Sequence, residues 1–230
     1  RARHETYLEG SRARRYPLRE PSLVAVSLGL GTVVTATQSI LRPVESLFRG
    51  VDRDQVFEAP RLAAVDALLR PHGFQVYGPY PRLVCGADTW RERAAPAGCR
   101  IAIEVRPSEQ RLDELGPARW PHAISTGRGA RAIATVAAAV AYRGDEVVGV
   151  ATCGDDTDQL WQIGIDVADG FRGSGIGAAL TSALARHILE AGRVPWYGAA
   201  PANLPSINTA LAAGFRLAWV EVFTHMAGRW

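Results

Sequence analysis

Residues 172–177 read Arg172-Gly173-Ser174-Gly175-Ile176-Gly177, and they stand between two segments of different periodicity. Upstream, Leu160–Val167 has the composition of a strand. Downstream, Ile176, Leu180, Leu184 and Ile188 recur every four residues, which predicts an amphipathic helix to about Ala191, with Gly192 as its stop. Glycines let the backbone turn tightly and approach a ligand closely. Successive N–H groups at a helix start make a site for a pyrophosphate, favoured by the helix dipole. Arg172 adds charge at the edge of that site.

The rest of the second half fits the same architecture. Arg100–Val105 alternates as a strand, and Pro107–Leu115 suggests a short helix. Ile133–Tyr142, a turn at Arg143-Gly144-Asp145 and Glu146–Thr152 predict a β-hairpin. Val194–Gly198 is the next strand, Pro205–Ala213 a helix closed by Gly214, and Leu217–His225 the last strand. From the hairpin onward the order strand–strand–strand–helix–strand–helix–strand is mixed α/β. In the first half, Leu23–Leu28 and Thr32–Thr37 are strand candidates around a Gly29–Gly31 turn. Glu58–Arg70 has helical spacing, with Pro71 and Gly73 to stop it. Phe74–Tyr77 and Leu83–Cys85 are expected as two short strands, and Arg91–Gly98 as a linker.

Three ligand readings compete for the glycine turn. A P-loop requires Gly-Lys-Ser/Thr, and all 26 basic residues of this chain are arginine, so that motif is excluded. A dinucleotide fingerprint is met loosely by Gly173-x-Gly175-x-x-Ala178, but the following strand carries no acid to hold a ribose. The third reading is a coenzyme A site.

At this point the chain resembles the GNAT superfamily of acyl-CoA-dependent N-acetyltransferases. Its signature, Arg/Gln-x-x-Gly-x-Gly/Ala, is matched by Arg172, Gly175 and Gly177. The signature follows a strand ending in Val167, and precedes a helix, a strand and an Asn-x-x-Ser helix closing in Gly-Phe: Asn203, Ser206, Gly214 and Phe215. The resemblance covers roughly residues 130–226. More narrowly, Pro195-Trp196-Tyr197-Gly198 and Ala218-Trp219-x-Glu221-Val222 resemble the GNAT branch that contains the zwittermicin A resistance acetyltransferase.

The resemblance implies a GNAT fold, with a mixed central sheet splayed at the acyl-CoA site and an additional N-terminal α/β region. It divides the chain into residues 1–98, an N-terminal α/β domain of unknown role, and residues 99–230, the acetyltransferase domain. It implies acetyl-CoA as co-substrate and a small-molecule amine as acceptor, attacked directly in a ternary complex. Ile165 and Val167 would pair with the pantetheine arm, and the Val167 amide would polarise the thioester carbonyl. Gly173, Ser174, Gly175, Ile176 and Gly177 would hold the pyrophosphate beside Arg172. Asn203 and Ser206 would contact the pantetheine.

One position departs from the family. Many GNAT enzymes carry a tyrosine four residues after the Asn-x-x-Ser serine, and here that residue is Ala210. Tyr197 is a substitute acid, or a packed core tyrosine. Glu221 is either a desolvated base or a paired structural ion, set between Trp219 and Phe223. Asp166 and Asp169 are further base candidates, and Asp169 fits a turn residue. His187 fits a surface or packing role, and His225 ends the last strand.

Charge and cysteines set the remaining bounds. A net charge of +3 does not by itself imply nucleic acid. Arg12, Arg14 and Arg15 form a short basic cluster, expected as a solvated arm. Three widely spaced cysteines, Cys85, Cys99 and Cys153, offer neither a disulfide framework nor a metal site, and suit a cytoplasmic protein. No apolar run is long enough to span a membrane. The segments 67–78 and 210–221 both read helix, Gly-Phe, strand. Two explanations stand: residues 1–98 are a degenerate GNAT-like half, or Gly-Phe is a common helix stop. At the level of function, an active N-acetyltransferase competes with a non-catalytic acyl-CoA-binding or scaffold protein.

Overall fold

The computed structural model describes residues 23–124, 134–155 and 157–226. The Arg12–Arg14–Arg15 cluster and the first residue of the predicted Ile133–Tyr142 strand lie outside them. Nine strands form one sheet: β1 (Leu23–Ser27), β2 (Thr32–Ala36), β3 (Phe74–Val84), β4 (Cys99–Val105), β5 (Thr135–Arg143), β6 (Glu146–Gly154), β7 (Leu160–Val167), β8 (Val194–Gly198) and β9 (Arg216–Met226). Five α-helices accompany them among the described residues: α1 (Leu41–Phe48), α2 (Ala59–Leu69), α3 (Glu109–Leu115), α4 (Ile176–Glu190) and α5 (Leu204–Ala212). The strand order is β2-β1-β9-β3-β8-β7-β6-β5-β4, mixed because β7 and β8 run parallel and the other neighbours antiparallel.

The sheet does not break at residue 98. β3 comes from the first half of the chain and lies between β8 and β9 from the second. It is one continuous strand, where two short ones are expected. A register shift between Tyr77 and Tyr80 absorbs Gly78-Pro79 without ending the ladder to β9. The Gly-Phe parallel is present locally: α2 leads through Gly73 into β3, and α5 through Gly214 into β9. Yet β1, β2 and β3 pair only antiparallel, so the described part of the N-terminal region holds no second splayed parallel pair.

Three apolar clusters fix the layers. α4 and α5 cover one face through Leu83, Ile163, Leu180, Leu184, Tyr197 and Phe215. α1 and α2 pack over Leu23, Ala25, Phe74 and Val222 through Val44, Val65 and Leu69. Ala138 and Val140 alternate along β5 with Ala137, Ala139 and Ala141, so they point to the opposite face, where Leu115, Trp120 and Ile124 cover them.

The expected linker at 91–98 is tied down. The Trp90 indole donates to Ser182 O at 3.0 Å, and Ser182 Oγ accepts from Arg93 N and donates to Arg91 O. Arg93 Nε donates to Ala212 O at 2.6 Å. The segment thereby crosses both α4 and α5.

Candidate active site

β7 and β8 pair over four positions only, from Leu160↔Val194 to Ile163↔Tyr197. Beyond Ile163, β7 keeps its partner β6 as far as Val167. Ala168 N donates to Val148 O on the β6 side at 3.0 Å. Main-chain groups alternate sides along a strand, so those of Ile165 and Val167 face away from β6, toward the open side. Among the described residues, Gly164–Val167 therefore has no strand partner on that side and can pair with an extended amide-bearing ligand.

The signature turn sits directly after this edge. Gly175 is the N-cap of α4 at φ +91°, and Gly173 lies at φ +76°, conformations that a side chain would strain. Amides in the first turn of α4 have no acceptor within the helix. Beside the helix start lies a depression of about 400 Å³, lined by Ser174, Gly175, Ala178 and Ala212 and by Glu92, Arg93, Ala94 and Pro96. Arg172 precedes the turn: its Nε donates to Val167 O at 3.2 Å, and its Nη1 pairs with Asp169 at 2.9 Å. Arg172 thus links the signature turn to the open strand. Asp169 is highly exposed and serves as Arg172's partner.

α5 flanks the opening. Asn203 caps it by accepting from Ser206 N at 3.2 Å. Tyr197 is 2% exposed, stacks edge-on against Phe215, and its hydroxyl meets Ser206 Oγ at 2.8 Å. Burial pushes the Tyr197 phenol pKa up, the Ser206 bond opposes the rise, and the Asp166 charge adds to it. Ala210 is fully buried.

Two acids singled out in the sequence have other work here. Glu221 is 1% exposed and accepts from Arg82 Nε at 3.2 Å and Trp219 Nε1 at 3.1 Å. It is thus ion-paired with Arg82, as the second of its two readings expects. Asp166 Oδ2 accepts from the amides of His122 and Ala123 at 2.7 and 2.8 Å, which anchors the 120–124 segment over β7. Its other oxygen meets His122 Nδ1 at 2.8 Å, while the imidazole is 79% exposed. Thr152 Oγ1 completes the anchor by donating to Ala123 O.

His122 carries no pattern that marks it in the sequence. Gly164 is the indirect signal: a glycine inside a strand often marks close backbone approach. A Cβ at 164 would overlap the His122 carbonyl oxygen. Arg82, the partner of Glu221, is equally unmarked. His187 lies in the last turn of α4, and His225 within β9. Among the described residues there is no cluster of three or more His, Cys, Asp or Glu side chains that could hold a metal ion. No described helix is long and apolar enough to cross a membrane.

Comparison with known proteins gives this geometry a context. The profile of the acetyltransferase (GNAT) family matches residues 106–215. No curated protein matches the chain by sequence. Among solved structures, a GCN5-related N-acetyltransferase from Kribbella flavida is similar, with TM-score 0.54 and 19% identity over 71% of this chain. The match spans 63% of that protein's length. A GCN5-related N-acetyltransferase-like protein from Streptococcus suis gives TM-score 0.52 at 14% identity, over 88% of this chain and 83% of its own. A Drosophila protein gives TM-score 0.56 at 14% identity, over 94% and 78%. These likenesses establish a GNAT-like mixed α/β fold.

Proposed function

We propose, for a chain whose residues 106–215 match the acetyltransferase (GNAT) family, that it transfers acetyl from acetyl-CoA to an amine of a small molecule by direct attack in a ternary complex. The observation that carries this reading is the open edge of β7 running straight into the signature turn. Ile165 and Val167 offer main-chain groups to the pantetheine amides, as an added strand would use them. Gly173–Gly177 and Arg172 receive the pyrophosphate. The Val167 N–H, on the side away from β6, would polarise the thioester carbonyl and stabilise the oxyanion as the amine attacks.

The attacking amine must lose a proton, and His122 is the group we assign to take it. Asp166 Oδ1 accepts from Nδ1–H, which fixes the tautomer and leaves the Nε2 lone pair outward, beside the open half of β7. The proton passes from nitrogen to Nε2 and on to water. The bonds of Glu221 to Arg82 and Trp219 favour a structural role for that carboxylate.

A second reading, an acyl-CoA-binding protein without turnover, is favoured by one observation: the family's usual acid position is Ala210, fully buried. Thermal unfolding with acetyl-CoA, followed by a free-thiol release assay over a panel of primary amines, separates the two. Stabilisation with amine-dependent thiol release is expected. Stabilisation without release on any amine selects the second reading, and no stabilisation refutes both.

A further inference from the structure

Ser206 and Tyr197 meet at the apex of the splay. Tyr197 is paired with Ile163, the last position at which β7 and β8 are joined. Its hydroxyl is enclosed, and its hydrogen-bond partner among the described residues is Ser206 Oγ at 2.8 Å. A buried phenol must place its hydrogen on an acceptor. Either oxygen could donate in this contact. Burial favours one direction, because Tyr197 has no other hydrogen-bond acceptor among the described residues, while Ser206 is only partly buried. Ser206 Oγ therefore accepts, and its own hydrogen is left to point outward.

The local helix chemistry supports that direction. Thr209 turns its hydroxyl back onto Pro205 O at 2.9 Å. Ser206, in the first turn of α5, has no such carbonyl one turn behind it within the helix. Asn203 satisfies the Ser206 amide and holds the residue in place. α5 lies beside the open strand: atoms of Thr209 and Ile165 both come within 4 Å of where a Gly177 Cβ would stand.

We infer that the Ser206 hydroxyl donates a hydrogen bond to the departing sulfur of the thioester, and that Tyr197 is the positioning residue that aims it. The inference rests on the acetyl-CoA reading above and supplies the donor missing at Ala210. As the amine attacks, the C–N bond forms and the C–S bond breaks. Sulfur leaves with the electron pair as a thiolate held by the Ser206 O–H, and it takes a proton from water on release. The ammonium proton has already gone to the base. Nothing else is consumed.

The test needs no acceptor. Free CoA, as its thiol, is titrated while bound to the protein, following the ultraviolet absorbance of the thiolate. In the native chain, the bound thiol should titrate about one pH unit lower than free CoA, as for a charge assisted by one donor. S206A should erase the shift, while desulfo-CoA, which lacks the sulfur, measures separately any loss of pantetheine binding in S206A. Y197F keeps the ring and the serine but not the aim, and should lose part of the shift. CoA bound with the same thiol titration in native and S206A proteins overturns this inference alone. Absence of CoA binding to the native protein overturns the acetyl-CoA reading, and this inference with it. Because Ser206 is partly exposed, S206A carries the test even if Y197F fails to fold.

Discussion

Arg82 Nε meets Glu221 Oε2 at 3.2 Å across the β3–β9 ladder, joining the first half of the chain to the second through a pair whose side chains are 13% and 1% exposed. Tyr80 and Trp196 both lie 5.4 Å from the Arg82 guanidinium carbon. Truncating one member of such a pair leaves the other charge buried alone. Glu221→Ala should cost about 3–5 kcal/mol in denaturant unfolding. Glu221→Gln keeps the shape and should cost less. The folded Glu221→Gln protein should retain its affinity for CoA, and an intact acetyl-transfer rate in it would separate Glu221 from the chemistry.

Gly164 lets the His122 backbone cross β7. Gly164→Ala should push that segment off the strand and destabilise the chain by about 1–3 kcal/mol, as overpacking does. Amide hydrogen exchange should rise at His122 and Ala123, whose N–H groups bond Asp166 in the native chain.

His122 and Asp166 can be separated by what each holds. The His122 ring is largely exposed, so His122→Ala should change stability by less than about 0.5 kcal/mol. Acetyl transfer should fall about a hundredfold if His122 is the base, with CoA affinity unchanged. Asp166→Asn should lower both stability and transfer. Equal transfer in native and His122→Ala proteins would remove His122 from the proton path.

Arg172 joins Val167 O to the signature turn. Arg172→Ala removes a cation beside the proposed pyrophosphate site and should weaken CoA binding about tenfold by calorimetry, with little effect on folding. Unchanged affinity would place the anion elsewhere.

Burial pushes the Cys153 thiol pKa from 9.0 up to about 12. Cys85 is raised by the same cause. The unfolded chain therefore ionises these thiols first, and stability present below pH 9 is lost as pH rises. From Cys153 the loss should be about 1.4 kcal/mol per pH unit between pH 9.0 and about 12. At pH 8 the partly exposed Cys99 should react first with a thiol reagent, and Cys85 and Cys153 only on unfolding.

Much of the fold and part of the site were legible in the sequence. The strand bounds Leu160–Val167 and Val194–Gly198, the glycine turn and α4 follow from periodicities contained within a few residues. Such patterns are local, so the chain states them directly. The continuity of β3 was not legible. Gly78-Pro79 looks like a break, and only pairing to β9 on both sides of the register shift carries the strand through.

What the sequence determined by itself is the kind of chain this is: a mixed α/β protein with a glycine-rich helix start preceded by a strand, an Asn-capped helix following, and no lysine anywhere. Tertiary structure decided which acids are committed and which are available. Glu221 lies 139 positions from Arg82, and Asp166 lies 44 positions from His122. No window of sequence contains both members of either pair. A carboxylate's chemistry depends on what surrounds it, and those surroundings exist only once the sheet has brought distant strands and the 120–124 segment together.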